Sequence, residues 1–484
     1  MKNSRSTIFF LTEDINNEKE KNEIEYLTSL GKVVLVSFSL LANPGPGVRC
    51  LVLSRSSLRM QKIVLYWSKI CYLLARLANS KTDFLFPERN VYSGNEVLRR
   101  LVNIFWKVKT ANWLNAVLPR YDTLYFFPYR LFMALKGTRN RMHNNRIIVH
   151  DSLIVRLPEF APLIAKARTQ RVPTIANVKS WDNPFYSQFT TNASGYLVWG
   201  ESMWRDIEKT QKTSSRAVHF WGARPFFNFF NEAKRFENQQ KDKLPKEKND
   251  SLVIGYAAAF GDGIMAAHEI ELIKRISSEL RGSHINAVVL IRPYPITPEG
   301  LYDSLKHLPN IEIVDIKGEP VDRYGDGREL IRFGSNAERL EYLSQCTCFL
   351  SMATSFTIEA AIAKVPIVHF CLPDNLCQNT GEREFFKRLQ LSDHLTEYFN
   401  KTLWTAQSYS DLCAKLRSTS TDPSEARRRG ENLLTRLGVP KNNFEQSITD
   451  PDAFQALTRS VSLSLPETQL ERVTPLINLP RSRL

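Results

Sequence analysis

Ser351-Met352-Ala353-Thr354-Ser355-Phe356-Thr357-Ile358-Glu359-Ala360-Ala361 packs a strand end, a turn and a helix start into eleven residues. The apolar run Cys348 to Ser351 stops, small hydroxyl residues turn the chain, and Phe356 to Ala363 resumes with helical spacing. A strand, a tight turn and a helix make the repeating unit of a parallel α/β sheet. A helix opened in this way offers backbone N–H groups and a partial positive charge, to which Ser355 and Thr357 add hydroxyls. A diphosphate is the ligand such a turn suits, and Glu359 in the first turn is placed to accept hydrogen bonds from ribose hydroxyls. Ordinary helix capping, a capping box with Ser355 or Phe356 near the cap, is the other reading these residues leave open.

The same alternation extends on both sides. Leu252 to Ala258, Ala287 to Arg292, Ile311 to Ile316 and Pro366 to Phe370 read as strands, with helices over His268 to Leu280 and Ala337 to Ser344. Arg292-Pro293-Tyr294-Pro295 ends one strand. The first proline halts it, so Arg292 projects at the carboxyl end, where a guanidinium neutralises the charge growing on a leaving nucleoside diphosphate. A surface salt bridge is its alternative. Gly261 and Gly263 flank Asp262 after another strand, a turn that lets backbone approach a phosphate or a sugar.

The first half carries a similar series. Ile8 to Leu11, Lys32 to Ser39, Tyr121 to Phe127, Arg146 to Val149, Thr174 to Val178 and Gly195 to Val198 are expected strands, and Glu18 to Leu30 and Pro158 to Arg171 expected helices. Between the halves, Glu232 to Ser251 is charged and nearly devoid of apolar residues, which predicts an interdomain linker. The expected organisation is an N-terminal Rossmann-like acceptor domain (1–231), the linker (232–251), a C-terminal donor-nucleotide domain (252–440) and a terminal helix with a loose tail (441–484). Two such halves predict a cleft, with ligands at the carboxyl ends of the strands.

In the first half, Val178-Lys179-Ser180-Trp181-Asp182-Asn183-Pro184 follows a strand and sets a carboxylate, an amide and an indole at its carboxyl end. Pro184 restrains the loop. Asp182 is the expected general base, taking the proton of an acceptor hydroxyl as inverting transfer requires. Asp151, at an analogous strand end, competes for that role, and an Asx turn is the structural alternative for Asp182.

Composition bounds the partners. The chain has 484 residues, 43% hydrophobic, enough for two cores, and a formal net charge of +15. That charge admits nucleic acid, an anionic membrane or phosphate-bearing substrates. No zinc finger, RNP-type motif or arginine-rich repeat supports nucleic acid. No apolar run approaches the roughly 18 residues of a membrane span. Lys2, Arg5 and Ile8 to Leu11 imitate a signal peptide, but the run is short of the about 7–15 residues needed and Glu13 and Asp14 follow at once. A cytoplasmic protein is expected. The scattered cysteines and histidines have no metal-ligand spacing, so no metal and no disulfide framework is expected. Leu98 to Leu118 and Met60 to Leu77 mix basic, aromatic and leucine residues. They fit either helices lying on an anionic inner membrane face or core helices with a solvated basic side.

The order of these segments resembles surface-polysaccharide glycosyltransferases of GT-B architecture. The likeness runs from Asp151 to Pro373. It includes Ser180-Trp181-Asp182-Asn183, Tyr196-Leu197-Val198-Trp199-Gly200-Glu201, Gly222-Ala223-Arg224-Pro225-Phe226, Arg292-Pro293-Tyr294-Pro295 and Ser355 to Pro366. It implies a nucleotide-sugar donor, a lipid-linked or glycan acceptor, no further cofactor, and a product that is a capsule, O-antigen or related polysaccharide. In such families the third position of the Arg-Pro-x-Pro turn usually holds the donor phosphates with His. Here it is Tyr294, which donates one hydrogen bond but does not become cationic near neutral pH. A non-hydrolysing sugar-nucleotide epimerase of the same fold, and a catalytically silent nucleotide-binding subunit, are the alternatives.

Overall fold

A computed structural model describes residues 7–11, 23–24, 27–28, 32–37, 48–52, 67, 125–128, 146–153, 160–170, 172–185, 189–191, 193–211, 217–241, 251–261, 263–294, 297, 300–314, 320–321, 330–331, 335–352, 354–391 and 396–439. The chain divides into two compact units, one carrying residues up to Pro225 and the other Phe226–Asn442.

The first unit holds a seven-stranded sheet: β1 (Thr7–Leu11), β2 (Lys32–Ser37), β3 (Arg49–Val52), β4 (Arg146–Asp151), β5 (Thr174–Asn177), β6 (Gly195–Val198) and β7 (Ala217–Phe220). Their order across the sheet is β3-β2-β1-β4-β5-β6-β7, all parallel. Helices α1 (Ala161–Thr169) and α2 (Glu201–Gln211) belong to it. Strands β5 and β6 are buried at every position. That is why neither sequence alternates between apolar and charged residues, although β5 buries Thr174 and Asn177 as well.

The second unit opens with α3 (Phe227–Lys241) and holds a six-stranded parallel sheet. Its strands are β8 (Leu252–Ala257), β9 (Ala287–Arg292), β10 (Ile311–Ile313), β13 (Cys348–Ser351), β14 (Ile367–Phe370) and β15 (Trp404–Ala406), ordered β10-β9-β8-β13-β14-β15. A separate antiparallel pair, β11 (Pro320–Val321) and β12 (Leu330–Ile331), lies outside it. The helices are α4 (Gly263–Gly282), α5 (Asn336–Gln345), α6 (Phe356–Ile362), α7 (Thr380–Leu391), α8 (Tyr409–Thr421) and α9 (Ser424–Leu437). Counted within its unit, each sheet winds out in one direction and then reverses, the doubly wound order. The expected pair of Rossmann-like sheets, the fold content of a GT-B chain, is present.

Two expectations are corrected. The expected strand Tyr121 to Phe127 is described only from Tyr125, and residues 125–128 are helical, with Tyr125 and Phe126 buried. The part of the expected linker from Glu232 to Lys241 is the continuation of α3. The cause lies just upstream: Phe226, Phe229, Phe230 and Ala233 are buried at helical spacing, and they anchor a helix whose charged continuation is solvated. Leu98 to Leu118, Met60 to Leu77 (apart from Trp67) and the expected terminal helix and tail (441–484) lie outside the described residues. Among those described, no helix is long and apolar enough to cross a membrane. Cys348, Cys371, Cys377 and Cys413 are buried free thiols.

Candidate functional site

In a doubly wound sheet the connections diverge where the strand order reverses, which opens a crevice at the carboxyl ends of the two central strands. In the second unit those strands are β8 and β13. The loop after β8 carries Gly261, the loop after β13 carries Ser355, and Arg292 ends the neighbouring β9.

The loop after β8 is fastened from below. Glu269 on α4 is buried, and its carboxylate accepts the N–H of Ala259 at 2.8 Å, the N–H of Phe260 at 3.0 Å and the Tyr256 hydroxyl. Gly263 then opens α4 at φ +69°, a conformation only glycine adopts at no cost. Tyr302 joins this loop to the next. Its hydroxyl donates to the Phe260 carbonyl at 3.4 Å and accepts the N–H of half-buried Tyr294 at 3.3 Å. Burial first, and the Glu269 charge second, push the Tyr302 phenol well above its ordinary pKa, so it stays a donor.

Arg292 is 6% exposed, and its guanidinium lies 4.9 Å over the Phe356 ring. Burial lowers its pKa, the Glu359 carboxylate opposes that shift, and the Arg339 charge adds to it. Its Nη2 is buried with no hydrogen-bond partner among the described residues. Glu359, also buried, receives Arg339 Nη1 on Oε1 at 2.7 Å, while Oε2 is buried and likewise unpartnered. Arg339 sits on α5, donates also to Asn336 Oδ1, and lies 5.3 Å over the Phe229 ring. Sequence reasoning missed Arg339. The sequence held only its place on the helix: Ser335 and Glu338 form a capping box that fixes the register of α5 and sets Arg339 one turn in from its start.

The turn after β13 differs from expectation. Helix α6 is only seven residues long, and its first N–H groups already have acceptors. Phe356 donates to Thr354 Oγ1, Thr357 to the Thr354 carbonyl and Ile358 to the Ser355 carbonyl. Thr357 is fully buried with its hydroxyl 2.8 Å from Ser351 Oγ, so it ties the turn to β13 rather than presenting a donor. Ser355 is exposed and its side chain caps nothing. The cap is Thr354.

In the first unit the order reverses between β1 and β4, and Asp151 ends β4 opposite Asn177 of β5. The Asp151 Oδ1 accepts the Leu153 N–H at 2.8 Å, and Oδ2 lies 3.9 Å from Lys179 Nζ. Asp151 thus makes an Asx turn at the end of β4. Asp182 is half-buried one strand further out, in a loop held rigidly. Its carbonyl accepts the Phe185 N–H at 3.0 Å, and the Pro184 carbonyl accepts Thr210 Oγ1 at 2.7 Å and Gln211 Nε2 at 2.6 Å. Asn183 Nδ2 donates to Ser152 Oγ at 3.1 Å, and Asn177 Nδ2 to buried Glu23 at 2.9 Å. Among the described residues no group of three His, Cys, Asp or Glu has metal-binding geometry.

An open hollow of about 340 Å3 lies elsewhere in the second unit, at the C-terminal ends of α5 and α6, lined by Phe236, Leu340, Ser344, Ile362 and Arg427. It sits at the amino end of the sheet and contains none of the groups above, so strand order rather than the hollow locates the candidate site.

No family profile matches the chain, and no curated protein does. Solved structures resemble it in outline. A UDP-forming α,α-trehalose-phosphate synthase from Burkholderia vietnamiensis is 9% identical at a TM-score of 0.49, over 94% of this chain and 100% of its own. HepE from Anabaena, solved in complex with UDP and glucose, is 8% identical at a TM-score of 0.40, over 95% of this chain and 99% of its own. At such values the likeness carries no activity across. The fold rests on the two strand orders themselves.

Proposed function

We propose that this chain is a GT-B-type glycosyltransferase that moves a sugar from a nucleotide-sugar donor to a growing cell-surface glycan. One observation carries the reading. At the strand-order reversal of the second unit, a buried guanidinium with an unpartnered N–H and a buried carboxylate with an unpartnered oxygen belong to one electrostatic network. Leaving both unmet costs free energy, and a single ligand with an anion and a hydroxyl donor meets both. A nucleoside diphosphate has that pairing: phosphate for Arg292, ribose hydroxyl for Glu359. Gly261, Tyr294 and Ser355 stand on the three loops around it.

In the transfer, the acceptor hydroxyl oxygen bonds to the sugar C1 and the C1–O bond to the diphosphate breaks. The hydroxyl proton passes to Asp182, and the new negative charge on the leaving diphosphate is met by Arg292. Asp151, with its oxygens engaged by Leu153 and Lys179, fixes the neighbouring loop. The acceptor is lipid-linked or glycan, met at an anionic inner membrane face that the +15 charge favours. Sedimentation with anionic vesicles at low but not high salt tests that location. A thermal-shift screen of nucleotides and sugar nucleotides tests the reaction class. At least one sugar nucleotide and its nucleoside diphosphate should raise the melting temperature by mass action, and a screen with no response contradicts the reading.

A further inference from the structure

We propose that Arg339 is a positioning residue that gives the nucleotide site its preference for ribose; this rests on the donor reading above. The Arg339 guanidinium is held on three sides. Asn336 Oδ1 accepts its Nη2, the Phe229 ring lies under it, and Nη1 reaches Glu359. Asn336 is itself anchored, donating from Nδ2 to Glu232 Oε1 at 2.8 Å. The cation is thus fixed from α3 and α5 before any ligand arrives.

The consequence falls on Glu359. A carboxylate on a short helix turns about its terminal torsion, which has broad wells. With Oε1 pinned at 2.7 Å by a guanidinium that cannot follow it, the plane of the carboxylate is set and Oε2 becomes the oxygen left to accept. A planar fork fixed at two points does this; an ammonium, a point charge on a flexible stem, does not. Arg339 touches no ligand in this account. It orients the group that does.

The test is calorimetric titration of ADP, GDP and UDP, each with its 2′-deoxy and 3′-deoxy form, into the full chain. In the wild type, the best diphosphate should outbind one of its deoxy forms by about tenfold or more, the worth of a hydrogen bond to a charged group. Arg339→Lys keeps a cation beside the buried carboxylate, so the fold survives. It should cut that ratio to about threefold or less while changing deoxy affinity by no more than about twofold. Asn336→Ala removes the second anchor and leaves the ion pair, and should lower the ratio in the same direction by less. A ratio unchanged in both variants, while Glu359→Gln abolishes it, overturns the role of Arg339 and leaves the donor reading standing. Equal weakening of ribose and deoxy forms overturns it too, since that marks a merely structural pair. A wild type that does not discriminate the forms overturns it as well, and one that binds no diphosphate overturns the donor reading itself.

Discussion

Two sheets with the same winding order carry different side chains at their carboxyl ends. In the second unit, the Arg292 and Arg339 charges both act with the Glu359 carboxylate, and Glu269 is spent on the loop after β8. In the first, Asp151 and Asp182 stand on neighbouring loops near buried Glu23, with Lys179 as the cation beside Asp151. The strand order dictates where ligands go, and the side chains at the loop ends dictate which. A buried guanidinium with an unpartnered N–H suits a leaving diphosphate. A carboxylate-rich end suits proton abstraction from a hydroxyl. The division of labour proposed for the two units rests on that contrast.

The largest expected effect lies at the acidic end. Asp182→Asn should lower turnover with saturating donor by about 10²–10⁴-fold and leave nucleotide affinity unchanged. Asp151→Asn should act mainly on stability, because it weakens an Asx turn and removes the charge facing Lys179. Normal turnover in Asp182→Asn together with an inactive Asp151→Asn would exchange the two roles.

Acid should expose a second asymmetry. His369 is buried in the second unit, with Nδ1 2.9 Å from the Ser351 carbonyl and Nε2 2.7 Å from Asn400 Oδ1. Burial lowers its pKa from 6.5 to about 4, against the pull of Asn400 and Ser351. The folded state therefore holds fewer protons than the unfolded one across that interval. Stability is full above about pH 6.5 and is lost as pH falls toward 4, by about 3 kcal/mol. In urea unfolding at a series of pH values, His369→Gln should flatten this loss for the second unit. His150 in the first unit is lowered further, to about 3, by burial and then by the Arg168 charge. The first unit should go on losing stability below pH 4. An identical acid response in the wild type and in His369→Gln would contradict the assignment.

A smaller effect should follow from loosening the loop after β8. Glu269→Gln turns one carboxylate oxygen into an N–H group among two backbone N–H donors and a hydroxyl. The expected cost is about 2 kcal/mol. Thermal unfolding should show it as a fall of about 4–8 °C in the midpoint of the second unit. No fall would mean that the loop is held by other contacts.

The contrast also explains what the sequence made legible. Strands β5, β6, β13 and β14 lie inside their sheets, are buried at every position, and stand out as short runs without charged residues. Within the two parallel sheets, the strands that escaped notice, β3, β7 and β15, are at sheet edges, and the short pair β11 and β12 outside them escaped too. Edge strands are short and partly solvated, so Arg49 and the half-buried Trp404 and Thr405 leave no apolar run to read. At the site, Arg292 and Glu359 were readable because strand and helix ends carry their own punctuation. Arg339 was not, since only the packing of α5 against α6 and α3 brings it to Glu359. The hydroxyl run Thr354 to Thr357 misled for a related reason: serine and threonine at a helix start serve a ligand or cap the helix, and here Thr354 caps it.

The most direct measurement is calorimetric titration of nucleoside diphosphates into the wild type and Arg292→Ala, with unfolding midpoints recorded for both. The account predicts that the wild type binds at least one diphosphate. Arg292→Ala should weaken that binding by about tenfold or more, the loss of a charge-assisted hydrogen bond, with the fold kept. Equal affinity in the two proteins would contradict the claim that the carboxyl end of the second sheet, at Arg292, is the donor site.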